Sequence, residues 1–424
     1  MNRMIESQVK TYTYPNGEIQ RIQIVKADSW DSFAFVEPKF DEKSLENIAY
    51  IYKEFLVKKM PIIFGKLNIF HIPEDVALPF SVKGIKDKNI AAKIYLSKHY
   101  HSKKAKEFID TLKKHKCFYI VKGKLPINVI MPYSNIGLLS DKTILGKVKM
   151  NTSFFSFDVI DADSKYDIYG TPIGLRVKDG KILYPPQFDR EALIIDNNNN
   201  VSIKPIGLKD IKISISGTIY ERPCKYAPKN DGYNVVIIGN KVVDIRKGKR
   251  TKTPSTGYII NTSIDNIKVG DTVTYEGLEN VKFAIQVGNS VIVDNIKTTC
   301  FKSKFYDVYK LRNTPFPPSM YPLDFEHARA PRMALGADKD NKPVIVFFEG
   351  SSKNEYQIGI DSCGASLSEM ADILSELKIK NAINLDGGGS AQILIDNKRE
   401  LKVSNRDINN NELERPIPLG ISIN

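Results

Sequence analysis

The chain has 424 residues, of which 42% are hydrophobic and 26% charged, the proportions of a globular protein with one large core or two smaller ones. The opening MNRMIESQVKTYTYPNGE lacks the apolar stretch of a secretory leader, and no apolar run is long enough for a membrane helix, so no membrane partner is expected. The net charge of +13, from 62 Lys and Arg against 49 Asp and Glu, suits anionic ligands, although a lysine-rich background would give the same sum.

In chain order, TYTYPNGEIQRIQIV reads as a hairpin with Asn16-Gly17 at its turn and Ile19, Ile22 and Ile24 along its second strand. After Ser44, the residues Leu45, Ile48, Ala49, Tyr52, Phe55 and Leu56 form one apolar helical stripe. The spacing predicts a second helix over Lys103–Lys116, with Ala105, Phe108, Ile109 and Leu112 on one face and a solvated lysine surface elsewhere. No aromatic-basic recognition motif accompanies these lysines, which disfavours nucleic acid as a partner. From Phe118 onward, short apolar runs between turns predict strands, among them ALIID, VSIK, IKISI, NVVIIG, GYII, FAIQV and VIVD. The run DNNNN at 196–200 predicts a hairpin tip, and the clearest helix is 367–378, where Ser366 and Glu369 have capping-box spacing. The fold class is therefore α+β: a β-rich domain over 119–424, preceded by a smaller α/β region, 1–118, of unknown role.

Metal and redox signals are weak. Cys117, Cys224, Cys300 and Cys363 show no CxxC spacing and read as incidental thiols. His99 and His101 lack an acidic or cysteine partner nearby. The loop with Asp158, Asp161, Asp163 and Asp167 lacks the glycine and final glutamate of an EF-hand. The expectation is no metal site and no cofactor, a divalent ion being allowed but not indicated.

Chemistry concentrates in a few stretches. NAINLDGGGSAQ, 381–392, reads as a buried strand that delivers Asn384 and Asp386 to a turn of Gly387, Gly388 and Gly389 closed by Ser390. Glycines serve where backbone takes positive φ or lets a ligand approach, and a plain tight turn would look the same. EHARAPRMALG carries His327, Arg329 and Arg332, whose forked guanidinium groups suit a carboxylate or phosphate. NTSFFSF opens with Asn151, and LERPIPLG supplies Arg415. The glycine turn is neither a phosphate loop nor a dinucleotide fingerprint, and no GxSxG elbow occurs.

Together these motifs resemble the phosphodiester glycosidase family. Asn384–Ser390 match its NLDGGGS signature, and RAPRMALG is similar to its RxPRTAxG motif with Met333 for threonine. Asn151 with Phe154 and Phe155, followed by PIGLRVKDG, resembles its early motif, in the same order. The similarity spans roughly 118–424. Where the family carries Asp-Gly-Arg, this chain has Glu349-Gly350-Ser351. The resemblance implies a hydrolase that cleaves the glycosidic bond of a sugar-1-phosphodiester, with an anionic glycan as its partner. It implies Asp386 as nucleophile or general base, Arg332 and Arg415 on the departing phosphate, and Asn384 orienting a sugar hydroxyl or the aspartate. The glycines and Ser390 would admit substrate, Asn151, Arg329 and Glu349 would be secondary contacts, and His327 or Glu326 an acid. A non-catalytic glycan-binding module, or a bacteriophage virion component, are the other classes in view. The corresponding expectations are a cytoplasmic or virion-associated location and assembly as a homo-oligomer.

Overall fold

The computed structural model describes residues 5–41, 77–86, 88–99, 102–114, 136–155, 170–186, 190–220, 232–298 except 250, 252, 255, 264 and 265, 328–351, and 356–424 except 408; shorter pieces are 43–44, 46–48, 51, 68–69, 119–121, 128–131, 166 and 223–224.

Seven antiparallel strands make the central sheet, in the order Ile5–Thr13, Ile19–Ala27, Pro343–Phe348, Arg332–Ala337, Asn381–Asn384, Ser290–Val293 and Ile296–Lys297. Alternation divides its side chains between two faces. Ile24, Ala334, Val344, Val346, Phe348 and Ala382 pack under the helix Leu367–Glu376 through Leu367, Met370, Ala371 and Leu374. That helix starts where the sequence places it. Ser366 accepts from the Glu369 N–H at 3.2 Å, and the Glu369 carboxylate accepts from the Ser366 N–H at 2.9 Å.

Val25, Met333, Leu335, Phe347 and Ile383 fill the opposite face. They meet a four-stranded sheet of Ile393–Ile395, Val148–Asn151, Gly420–Ile423 and Phe33–Val36. A five-stranded sheet joins the same core through Leu193, Ile195, Phe283 and Ile285. Its alternate residues, Val177, Ala192, Ile194 and Ala284, belong to a second core with Val235, Ile237, Ile260 and Ile213. One sheet therefore serves both cores. Each large apolar side chain so buried stabilises the fold by about 1.5–3 kcal/mol.

The boundary expected at residue 118 is crossed by these sheets. The N-terminal hairpin lies beside Pro343–Phe348, with Ile24 opposite Val346, and Phe33–Val36 pairs with Gly420–Ile423. The hairpin turns at Tyr14–Gly17, where the Gly17 N–H reaches the Tyr14 carbonyl at 2.9 Å. The helix Lys103–Lys114 buries Ala105, Phe108 and Ile109 as predicted. A further helix, Lys88–His99, escapes the sequence because small Ala91 and Ala92 supply much of its buried face, giving a faint apolar stripe. His99 ends that helix, exposed, and His101 is outside the described residues. The stripe after Ser44 is helical at 43–44, 46–48 and 51, with Ile48 and Ile51 buried, and its remainder lies outside the described residues, as does the aspartate loop at 158–167 apart from Tyr166. DNNNN is a tip held by Asp196, whose Oδ1 accepts from the Asn198 and Asn200 N–H groups at 2.8 Å each.

Candidate active site at the glycine turn

The strand Asn381–Asn384 pairs with Arg332–Ala337, Ala334 opposite Asn384, and on its other side Asn384 N–H donates to the Asn289 carbonyl at 2.9 Å. Beyond it the chain leaves the sheet under tight control. Leu385 N–H donates to Met333 O at 2.8 Å, Asp386 N–H to Thr152 O at 2.9 Å, and Gly388 N–H to Pro331 O at 2.9 Å. Two separate parts of the chain, 331–333 and Thr152, thus fix the turn that presents Asp386.

Each glycine answers a different constraint. Gly388 takes φ +60°, in the left-handed region, and its Cβ direction faces open space. A Cβ on Gly387 would lie 2.8 Å from the Pro331 carbonyl oxygen. A Cβ on Gly389 would lie 1.8 Å from Asn405 Oδ1 and 2.3 Å from Arg415 Nη2. Gly389→Ala must therefore push both side chains out of place. The expected result is a loss of turnover of about 100-fold or more, with a melting temperature near that of wild type, read by rate assay and thermal denaturation.

Asp386 is half-buried as a residue, yet its carboxyl is ringed by protein. Burial pushes its pKa up to about 7, against the downward pull of the Ser390 hydroxyl, the Arg415 charge and the Gly387 N–H. A carboxyl poised there can hold or release a proton near neutrality. Two residues earlier, Asn384 is fully buried, and among the described residues neither its Oδ1 nor its Nδ2 has a hydrogen-bond partner. Buried amides are normally satisfied, so this one is an anomaly beside the carboxylate.

The other expected residues fall into two groups. Arg415, half-buried, stands over Gly389 and acts on Asp386. Asn151 is fully buried: its Nδ2 donates to the Asp386 carbonyl at 2.7 Å and its Oδ1 accepts from Gln392 N–H at 3.0 Å, so it braces the turn. Arg332 lays its stem along Gly387, and the residue as a whole is only 1% exposed. It donates to the carbonyls of Ala365 at 3.0 Å and Ala328 at 2.9 Å, and burial lowers its pKa to about 10. The guanidinium expected on a phosphate thus lies beneath the turn, on backbone carbonyls.

Arg329 and Glu349 are engaged elsewhere. Arg329 pairs with Glu369 and Glu18 and lies 4.6 Å over the Tyr14 ring. Glu349 is buried, its carboxylate accepting from Arg21 Nε at 2.5 Å and from Lys402 N–H at 2.9 Å, which ties the N-terminal hairpin to the chain entering 402–413. Gly350, next to it, keeps its place because a Cβ there would lie 2.9 Å from Pro331. His327 and Glu326 lie outside the described residues. The turn's own amides are largely used: Gly387 on Asp386, Gly388 on Pro331 O, and Ser390 on Gly387 O at 3.2 Å.

Sequence reasoning missed Gln392 and Asn405. Gln392 is fully buried, and its Nε2 donates to the Arg415 carbonyl at 3.0 Å, so with Asn151 it links the backbone of Asp386 to that of Arg415. Its polarity in an apolar stretch, just before the strand Ile393–Ile395, was the available signal. Among the described residues, no group of three or more His, Cys, Asp or Glu is arranged to hold a metal ion. Among them, too, no helix is long and apolar enough to cross a membrane.

Residues 231–424 match the family model described as phosphodiester glycosidase. No curated protein matches the chain by sequence. Among solved structures, a Synechocystis protein is similar at 14% identity and TM-score 0.44, covering 99% of this chain; the chain spans 62% of its length. The catalytic domain of zebrafish N-acetylglucosamine-1-phosphodiester alpha-N-acetylglucosaminidase, auto-inhibited by its pro-peptide, gives 12% identity and TM-score 0.44, covering 99% of this chain and 83% of its own. A Burkholderia pseudomallei protein gives 12% and 0.41, with 99% and 96% covered.

Proposed function

We propose, from the match of residues 231–424 to the phosphodiester glycosidase model, that the protein hydrolyses the glycosidic bond of a sugar-1-phosphodiester, with Asp386 as nucleophile or general base and Arg415 facing the phosphate. The observation that carries this reading is a carboxyl with pKa about 7 set beside an arginine at a turn whose outer side is open.

The chemistry follows from the charges. As the bond between the anomeric carbon and the phosphate oxygen breaks, its electron pair leaves with the phosphate, and positive charge grows on the sugar. A phosphodiester departs without strong protonation, so stabilising the negative charge matters more than supplying an acid. Arg415 serves that need. Water supplies the hydroxyl that ends on the anomeric carbon and the proton that ends on the phosphomonoester, and Asp386 either takes that proton in passing or first bonds to the sugar. Asn384, two residues from Asp386 and with its amide unsatisfied, is positioned to hold the aspartate or a sugar hydroxyl once substrate is present.

Incubation with a panel of sugar phosphodiesters, including nucleotide sugars and teichoic-acid fragments, should yield free sugar and a phosphomonoester by mass spectrometry. Water labelled with oxygen-18 should leave its label on the sugar. Label on the phosphate would mean cleavage of the phosphorus–oxygen bond and end this reading. Saturable binding without product would turn it into a docking module.

A further inference from the structure

We propose that Asn405 is a substrate-binding residue that forms, with Arg415, the clamp for the phosphate oxygens; the proposal rests on the phosphodiester-cleaving reading of this site. Asn405 comes from a hairpin that sequence reasoning passed over. Leu401 and Val403 on its incoming side and Leu413 on its return are buried, and the Leu413 N–H donates to the Asn405 carbonyl at 3.0 Å. The tip is set by Asp407, whose Oδ1 accepts from the Asn409 and Asn411 N–H groups at 2.8 and 2.9 Å. Glu349 holds the start of the hairpin through Lys402 N–H at 2.9 Å. Asn405 is thus presented on a fixed element, half-buried at the rim of the glycine turn.

The orientation of its amide decides its chemistry. Asn405 Oδ1 accepts from Arg415 Nη2 at 3.3 Å, and both atoms sit over the Cα of Gly389. With the oxygen turned to the guanidinium, Nδ2 is the group left, and among the described residues it has no partner. An amide has one acceptor oxygen and two N–H donors on its nitrogen. What this corner offers a ligand is therefore donors, two from Asn405, beside a charged guanidinium. A phosphate presents only acceptors and carries charge, which matches that set, whereas a sugar hydroxyl needs acceptors as well. The turn's amides are already engaged at Gly387, Gly388 and Ser390, and Arg332 is buried on carbonyls. At this corner, Asn405 and Arg415 take the anion.

Calorimetric titration of the full chain with inorganic phosphate and with dimethyl phosphate tests this without turnover. Wild type should bind, Asn405→Ala should bind about tenfold more weakly, and Asn405→Asp more weakly still, because a carboxylate there repels the ligand and pairs with Arg415. Dimethyl phosphate binding as tight as phosphate points to diester recognition, and both count in favour. With a phosphodiester substrate, Asn405→Ala should raise KM more than it lowers kcat. An uncharged aryl glycoside of the same sugar should be unaffected. Melting temperatures should match wild type, since Asn405 is not a core residue. Phosphate binding by Asn405→Asp within twofold of wild type, or no binding by wild type at 10 mM, overturns the proposal. The two readings fail separately: turnover with an unchanged KM in Asn405→Ala removes only the clamp, and clamp-dependent phosphate binding without turnover removes only the glycosidase.

Discussion

Asp386→Asn should lower turnover of a sugar-1-phosphodiester by at least about 1,000-fold while leaving the protein folded. The substitution keeps the size of the side chain and an oxygen to accept from Ser390 and the Gly387 N–H, but removes the charge. It has a second, opposite signature. Asp386 has its pKa raised by burial from 3.8 to about 7, so between those values the folded state binds a proton that the unfolded state has released. Stability therefore falls as pH rises through that window. The full penalty applies above pH 7 and none below pH 4. Asparagine escapes it, so the variant should melt higher than wild type at pH 8, by the equivalent of about 2–4 kcal/mol at most, and the gap should close toward pH 4. Thermal scans across pH read this directly. An inactive variant that gains nothing at pH 8 would show that the carboxylate is not ionised against its surroundings.

Arg415→Gln should cost about 100- to 1,000-fold in kcat/KM, the range found when a group aimed at developing charge is removed. It should also move the pH profile. As base or nucleophile Asp386 works ionised, so activity should rise with pH through about 7 on the acid side. Arg415 pulls that pKa down, and without it the limb should move to higher pH. Arg415→Lys should restore the position of the limb better than the rate, since a point charge replaces the charge but not the planar fork. An unmoved limb in Arg415→Gln, read from kcat/KM profiles, would separate the two groups.

What could be read from the chain was whatever is local. Ser366 and Glu369 announce a helix start three residues apart, Asn16-Gly17 announces a hairpin, and three glycines after an apolar strand announce an unusual corner. Where Arg332 and Arg415 point was not local. Both are Arg-Pro neighbours in sequence, yet strand alternation turns Arg332 inward to the Ala365 carbonyl, from a loop 33 residues on. Glu349 looked like a departure in substrate contact, and its carboxylate instead meets Arg21 and the Lys402 N–H, from opposite ends of the chain. Asn405 carried no signal, because an asparagine in a polar hairpin becomes informative only when Arg415 and Gly389 are seen beneath it.

The placement of Phe33–Val36 against Gly420–Ile423 bears on how the molecule is made. On the ribosome the early strand emerges long before its mate, and Ile19–Ala27 likewise waits for Pro343–Phe348. Such distant pairing makes folding slow, and it leaves open strand borders available to other nascent chains in the interval. Ile5–Thr13, with Glu6, Lys10 and Thr11 exposed on the outermost strand, gives the finished sheet a largely polar margin against that hazard.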